Sequence, residues 1–131
     1  MNGFYIHTVD GGYVPPFEYL PADGLVPSVG QALVLSAGKL TLASGANKPT
    51  HISMCQRDAA CANGELIPVI AVSDAITFAV PTSVANTAAV GNKVTISADG
   101  LNVTATTESG VATIVGKCGT AKGDVQYVKF I

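Results

Sequence analysis

Charge is scarce in this chain, and so are the side chains that usually carry chemistry. Only 12% of its 131 residues are Asp, Glu, Lys or Arg, histidine occurs twice, and tryptophan is absent. Seven basic against nine acidic residues leave a formal charge of -2, so there is no electrostatic footprint for a phosphate backbone. Direct nucleic-acid binding is not expected. No apolar run approaches the roughly 20 residues that span a bilayer as a helix. The opening "MNGFYIHTVD" also lacks the basic start and apolar centre of a secretory leader. The expectation is a soluble chain made in the cytoplasm, with no membrane partner.

Catalytic signatures are missing too. There is no G-x-S-x-G, no HExxH and no GxxxxGK[ST] loop. "SAGK" at Ser36–Lys39 resembles part of a phosphate loop, but it falls in a hairpin turn without the Ser or Thr that would open a helix. Asp10, Glu18 and Asp23 lie among turns, and Glu65 and Asp124 each follow a glycine, as residues that start strands do. Too few titratable groups can converge on one cleft for acid-base work, so no catalytic residue, no cofactor and no enzyme activity are expected. Cys55, Cys61 and Cys118 are an odd number, which argues against a disulfide framework. With His51 they could be imagined around zinc, but their spacing is not that of CxxC knuckles, and reduced, half-buried thiols are the expected state.

What the chain does hold is shape-forming sequence. Residues 1–27 carry five of the eight aromatic residues, namely Phe4, Tyr5, Tyr13, Phe17 and Tyr19, with Pro15, Pro16, Pro21 and Pro27. Prolines favour extended backbone and the "DGG" and "ADG" triplets favour turns, so this stretch reads as an extended N-terminal arm ahead of a domain over 28–131. Its aromatics have two uses: folding back to cap the domain, or docking on a partner.

From Val29 the period becomes two. In "VGQALVLSAGKLTLASG", Leu33, Leu35, Leu40 and Leu42 alternate with small residues around Ala37-Gly38, which predicts a hairpin. "THISM" and "ELIPVIAV" predict further strands, with Pro68 confining the second to an edge or a bulge. "CQRDAACANG" between them has room for one helical turn, and "SDAITFAVPTSVANTAA" is a connection with a strand near Ile76–Val80. Then the hairpin phrase returns as "VGNKVTISADGLNVTAT", with Val94, Ile96, Leu101 and Val103 at the places of Leu33, Leu35, Leu40 and Leu42. Asp99-Gly100 points to a two-residue type I′ turn. The echo continues more loosely, "PTHI" against "VATI" and "GELIPV" against "GDVQYV". Two internal repeats, approximately 29–72 and 90–131, are therefore expected to bury their apolar faces against each other. The fold class is all-β, a small barrel or sandwich.

The run from Val29 to Val72 resembles the small decoration, or cement, proteins of tailed-phage capsids, a family once known only as a domain of unknown function. Gly30, Leu33, Leu35, Gly38, Lys39, Leu40, Ala43, Gly45, Pro49, Ile52, Gly64, Glu65, Pro68 and Val69 fall on the family's recurrent phrase. The chain departs from it at His51, where the family favours Gly, and in the long "CQRDAACANG" loop. The resemblance implies a β-tulip-like barrel on the outer surface of a mature phage head. It implies the major capsid protein as partner, assembly as a homotrimer or cluster, and clamping of adjacent capsid subunits. Under that reading the capsid contacts are Tyr13, Pro15, Pro16, Phe17, Glu18, Tyr19 and Leu20. The rival class is a head fibre or a receptor- or glycan-binding module, using the loops Cys55–Gly64 and Lys117–Gly123 as one barrel top.

Overall fold

A computed structural model describes residues 2–106 and 110–131. It contains eleven strands: β1 (Tyr5–Val9), β2 (Glu18–Ala22), β3 (Ala32–Ser36), β4 (Lys39–Leu42), β5 (His51–Ser53), β6 (Glu65–Ala71), β7 (Ile76–Pro81), β8 (Lys93–Ile96), β9 (Val103–Ala105), β10 (Ala112–Lys117) and β11 (Val125–Lys129). The only helical turn among the described residues is a 3-10 turn at Asp10–Gly12. The expected all-β class is what the chain adopts.

The strands form two units. β2-β4-β3-β5-β6 close into a barrel, and β1-β7-β11-β10-β8-β9 form a six-stranded sheet. Their pairing order is the same. The antiparallel pairs β3–β4, β3–β5, β5–β6 and β6–β2 of the barrel recur as β8–β9, β8–β10, β10–β11 and β11–β7. The barrel closes through one parallel pairing, Ala22 with Leu40. In the sheet a parallel bridge joins Thr82 to Val103, and Ser83 N–H donates to the Val103 carbonyl at 2.8 Å. Five of the six strands therefore follow the same closed circuit, called barrel two below. β1 is the addition, laid along β7.

Individual hydrogen bonds repeat as well. Gly30 donates to Ser53 O and Gly91 to Ile114 O, both at 2.8 Å. Gly64 donates to Ala22 O and Gly123 to Thr82 O, both at 2.9 Å. The Glu65 carboxylate accepts from Ala62 N–H at 2.9 Å, and Asp124 from Ala121 N–H at 3.0 Å. Gly64 and Gly123 sit at φ +80° and +89°, where a side chain would be strained, so each strand entry depends on its glycine.

Several expectations need correction. Residues 1–27 are not a free arm. β1 pairs with β7, β2 is a barrel stave, and Phe4 is fully buried against Phe78 and Phe130 at centroid distances of 6.3 and 5.4 Å. Because Pro21 pairs opposite Leu66 and Pro81 opposite Val125, the repeated path begins at β2 and β7, upstream of residues 29 and 90. The loose match of Ile52 with Ile114 is one residue out. Leu33 faces His51 and Val94 faces Ala112, which makes Ser53 the counterpart of Ile114. Pro68 lies at neither edge nor bulge. Its carbonyl accepts Met54 N–H just past the end of β5, so its missing donor falls where that ladder stops.

The first hairpin turns through Ala37 (φ 52°) and Gly38 (φ 81°), the left-handed pair a type I′ turn requires. The second does not. Ile96 pairs with Val103, leaving a longer loop in which Asp99 Oδ1 accepts from Leu101 N–H at 3.0 Å and from the Ser97 hydroxyl at 2.6 Å. That loop is drawn onto the first barrel: Ala32 N–H donates to Gly100 O at 2.9 Å and Gln31 Nε2 to Asp99 O at 3.0 Å.

One core cluster, Ala22, Leu33, Leu40, Cys61, Ile67 and Val69, fills the first barrel. The larger one runs through barrel two and across to the first barrel's Ala32, Ala43, Ile52 and Ile70. Alternation explains the split: Leu33 points into its own barrel while Ala32, next to it, faces the neighbouring unit. An antiparallel bridge of Gly45 with Ile96 ties the two together.

Candidate binding surface

β2 positions three of the seven side chains that the sequence marked as contacts, Glu18, Tyr19 and Leu20; Tyr13, Pro15, Pro16 and Phe17 precede it. Ala22 and Leu20 pack into the first barrel, so Phe17, Tyr19 and Pro21 project from its outer face. Tyr19 is paired with Pro68 and Pro21 with Leu66, which extends the strip across β6. The exposures are high for such residues: Tyr13 72%, Val14 62%, Phe17 56%, Tyr19 63% and Leu66 60%. Pro16 and Glu18 are exposed, whereas Pro15 and Leu20 are half-buried, so Leu20 belongs more to the barrel than to the surface. The sequence did not single out Leu66. It is an outward residue of a strand called from its alternation, and the signal that could have found it was the phase of "ELIPVIAV".

Charge on this surface is sparse and paired. Glu18 Oε2 lies 3.4 Å from His51 Nε2 at the barrel mouth, and Asp23 lies 3.7 Å from Lys39, whose ammonium also meets Asn63. His51, placed on a strand by the sequence, also exchanges a 2.9 Å hydrogen bond with Thr50. The cysteines lie apart in function: Cys61 is buried in the first barrel, Cys55 is half-buried beside it, and Cys118 is exposed. Burial pushes the Cys61 thiol up. Among the described residues no group of three or more His, Cys, Asp or Glu is placed to hold a metal ion.

The two loops expected to share one barrel top belong to different barrels, because each joins the fourth and fifth strands of its own circuit, β5 to β6 and β10 to β11. In the first, Arg57 meets Glu65, and the Ala62 N–H followed by the Arg57 guanidinium holds the Glu65 carboxyl below its ordinary range. No helical turn forms there. In the second, Lys117 Nζ donates to the carbonyls of Asn86 and Ala88 at 2.7 and 2.8 Å, and Cys118 Sγ lies 3.2 Å from Tyr127 Oη, which raises the phenol. His7 stacks on the Tyr127 ring at 4.2 Å. An open groove of ≈ 940 Å³ near Asn86, Asn92 and Lys93 has no aromatic ring among its described lining residues on which a sugar could stack.

No family model matches the chain, and no curated protein matches it. Among solved structures it is similar to the N base of the head fibre gp8.5 of bacteriophage phi29. The two superpose with a TM-score of 0.57 at 14% identity, over 90% of this chain and 95% of that one. At that identity the likeness is one of fold.

Proposed function

We propose that this chain is a structural protein of a phage head, a decoration protein that seats on the outer surface of the shell and bridges neighbouring capsid subunits. The observation that carries the reading is the high exposure of Tyr13, Val14, Phe17, Tyr19 and Leu66 on a weakly charged chain, with Tyr19 and Leu66 on the outer faces of the paired strands β2 and β6. Rings and proline-bounded backbone lose little entropy when they are covered, which suits them as anchors. Contacts of modest strength suffice when many copies dock on one symmetric lattice. The shared fold with a head-fibre base, and the resemblance of Val29–Val72 to decoration proteins, support the same location on a virion. The major capsid protein is the proposed partner, a homotrimer the proposed assembly, and no reaction is assigned.

A second reading has its own support: one solved structure of similar fold is the N base of a head fibre, and under this reading the chain anchors a receptor-binding element. The experiment adds purified protein to shells that lack it and measures saturation binding and the temperature and osmotic shock at which the shells break. Decoration predicts saturable binding and more robust shells. Saturable binding with unchanged robustness would move the assignment to a fibre base, and no binding would remove both. The double variant Tyr13→Ser with Tyr19→Ser should weaken binding at least tenfold while melting like the parent, since both rings are solvent-exposed.

A further inference from the structure

The equivalence of the two barrels exposes a difference at one edge. In barrel two, β1 lies antiparallel along β7, covering Ile76 to Ala79. Since Pro81 corresponds to Pro21, those four positions correspond to Pro16, Phe17, Glu18 and Tyr19. Among the described residues nothing pairs with them on that edge. On that side β2 pairs only at Ala22 with Leu40, because β4 begins at Lys39, immediately after the Ala37-Gly38 turn, and the hairpin tip stops short of Tyr19. Antiparallel ladders alternate in direction. The Ala22 carbonyl faces β6 by accepting Gly64 N–H, so the backbone groups of Tyr19 and Phe17 face the uncovered side.

We propose that the edge of β2 at Phe17–Tyr19 is a strand-acceptor site, filled by an extended segment of a partner protein that carries a basic side chain opposite Glu18 and apolar ones beside Phe17 and Tyr19. It rests on the proposed function in one respect, that the segment is supplied by the capsid subunit. The chemistry follows from alternation: Phe17 and Tyr19 share the outer face, and Glu18 points the other way, toward the barrel mouth. Pro15-Pro16 on one side and Pro21 on the other remove donors, which limits the site to two N–H and two carbonyl groups and fixes its register. A second copy of this chain fits less well. Pairing β2 with itself through Phe17 and Tyr19 sets Glu18 against Glu18 of the second copy, and like charges directly opposite destabilise a ladder.

The test separates backbone from side chain. Tyr19→Pro and Tyr19→Ala both lose the ring, but only the first loses the edge N–H, which has no partner within the free barrel, so both should melt alike. Binding to shells should be about tenfold weaker for the proline variant than for the alanine variant, the effect of one hydrogen bond. Amide hydrogen exchange over residues 13–22 should slow when the parent is bound to shells. In parallel, the capped peptide Ser-Val-Lys-Val-Thr should shift the Phe17 and Tyr19 amide resonances of the isotope-labelled protein. Shell binding with equal affinities and unprotected amides overturns the strand site and leaves the proposed function standing. Peptide shifts without shell binding do the reverse. Neither response overturns both, and a dimer lost on Tyr19→Pro would overturn the assignment to a different protein.

Discussion

Ile67 and Gln126 occupy the same position in two barrels of the same path, one an aliphatic side chain and the other a primary amide, and both are shut away from water. Ala22 and Thr82 differ in the same way. The first barrel is filled almost wholly by carbon and by the Cys61 thiol. Barrel two tolerates an amide because its own loop supplies an acceptor, the Gly119 carbonyl, at 3.0 Å from Gln126 Nε2. The amide is not fully satisfied there. Among the described residues Gln126 Oε1 and the buried Asn86 Nδ2 have no hydrogen-bond partner. The path of the strands is thus set by alternation and by strand-entry glycines, which both barrels keep, and only secondarily by what fills the interior.

The sharpest way to break this comparison is to ask whether the barrels unfold separately. Phe78→Ala should cost about 3–5 kcal/mol by urea unfolding, since it empties the site between Phe4 and Phe130. Because the larger core includes Ala32, Ile52 and Ile70 of the first barrel, the methyl signals of Leu33 and Val94 should still disappear in one transition. Two transitions would show that the barrels are autonomous. Ile67→Gln transplants the polar interior into the barrel filled by aliphatic side chains and a thiol, and should cost about 3 kcal/mol by the same measurement. A loss near zero would mean that the first barrel also has an acceptor within reach.

The two hairpin turns allow a smaller contrast. Gly100 sits at φ +74° with space for a side chain blocked by Leu42 and Gln31, whereas Gly38 at φ +81° faces open solvent. Gly100→Ala should therefore lower stability by about 2 kcal/mol and Gly38→Ala by about 1 kcal/mol, read from thermal unfolding. Equal losses would show that the second turn does not depend on its contact with β3 and β4. The smallest effect concerns acid. Because Glu65 is held below its ordinary range in the folded chain, its stabilising share is present above the unfolded value of about 4.3 and is lost as pH falls through the lower folded value. The melting difference between the parent and Glu65→Gln should be modest at neutral pH, as for exposed ion pairs, and should vanish under strong acid.

Much of the β content was legible because its signals are local. The Ala37-Gly38 turn, the alternation of β3 and β4, and the strand phases of β5 and β6 are all written within a few residues. What a strand pairs with is not. "FEYLPA" looked like an arm because its prolines and aromatics suit extended backbone, and extended backbone is equally what a barrel stave uses. Phe4 gave no local sign that its partners are Phe78 and Phe130, far along the chain. The Asp99-Gly100 turn failed for a related reason: its geometry is set by hydrogen bonds from Gln31 and Ala32 of the other barrel. The exposed strip was legible as residue types, but the uncovered edge beside it became visible only once the two circuits could be laid over each other.

β1 also has a history that its final position conceals. The ribosome makes it before β2, yet Tyr5 waits for Ala79, and β7 is synthesised only after all five staves of the first barrel. At about 5–20 residues per second that interval is roughly 4–15 s, long compared with the microseconds in which a hairpin forms. All five staves of the first barrel are thus made while the strand that precedes them is still without its partner. Nascent chains halted before β7 would carry those staves and an unpaired β1, a stage at which a chaperone would find Phe4 without Phe78 and Phe130.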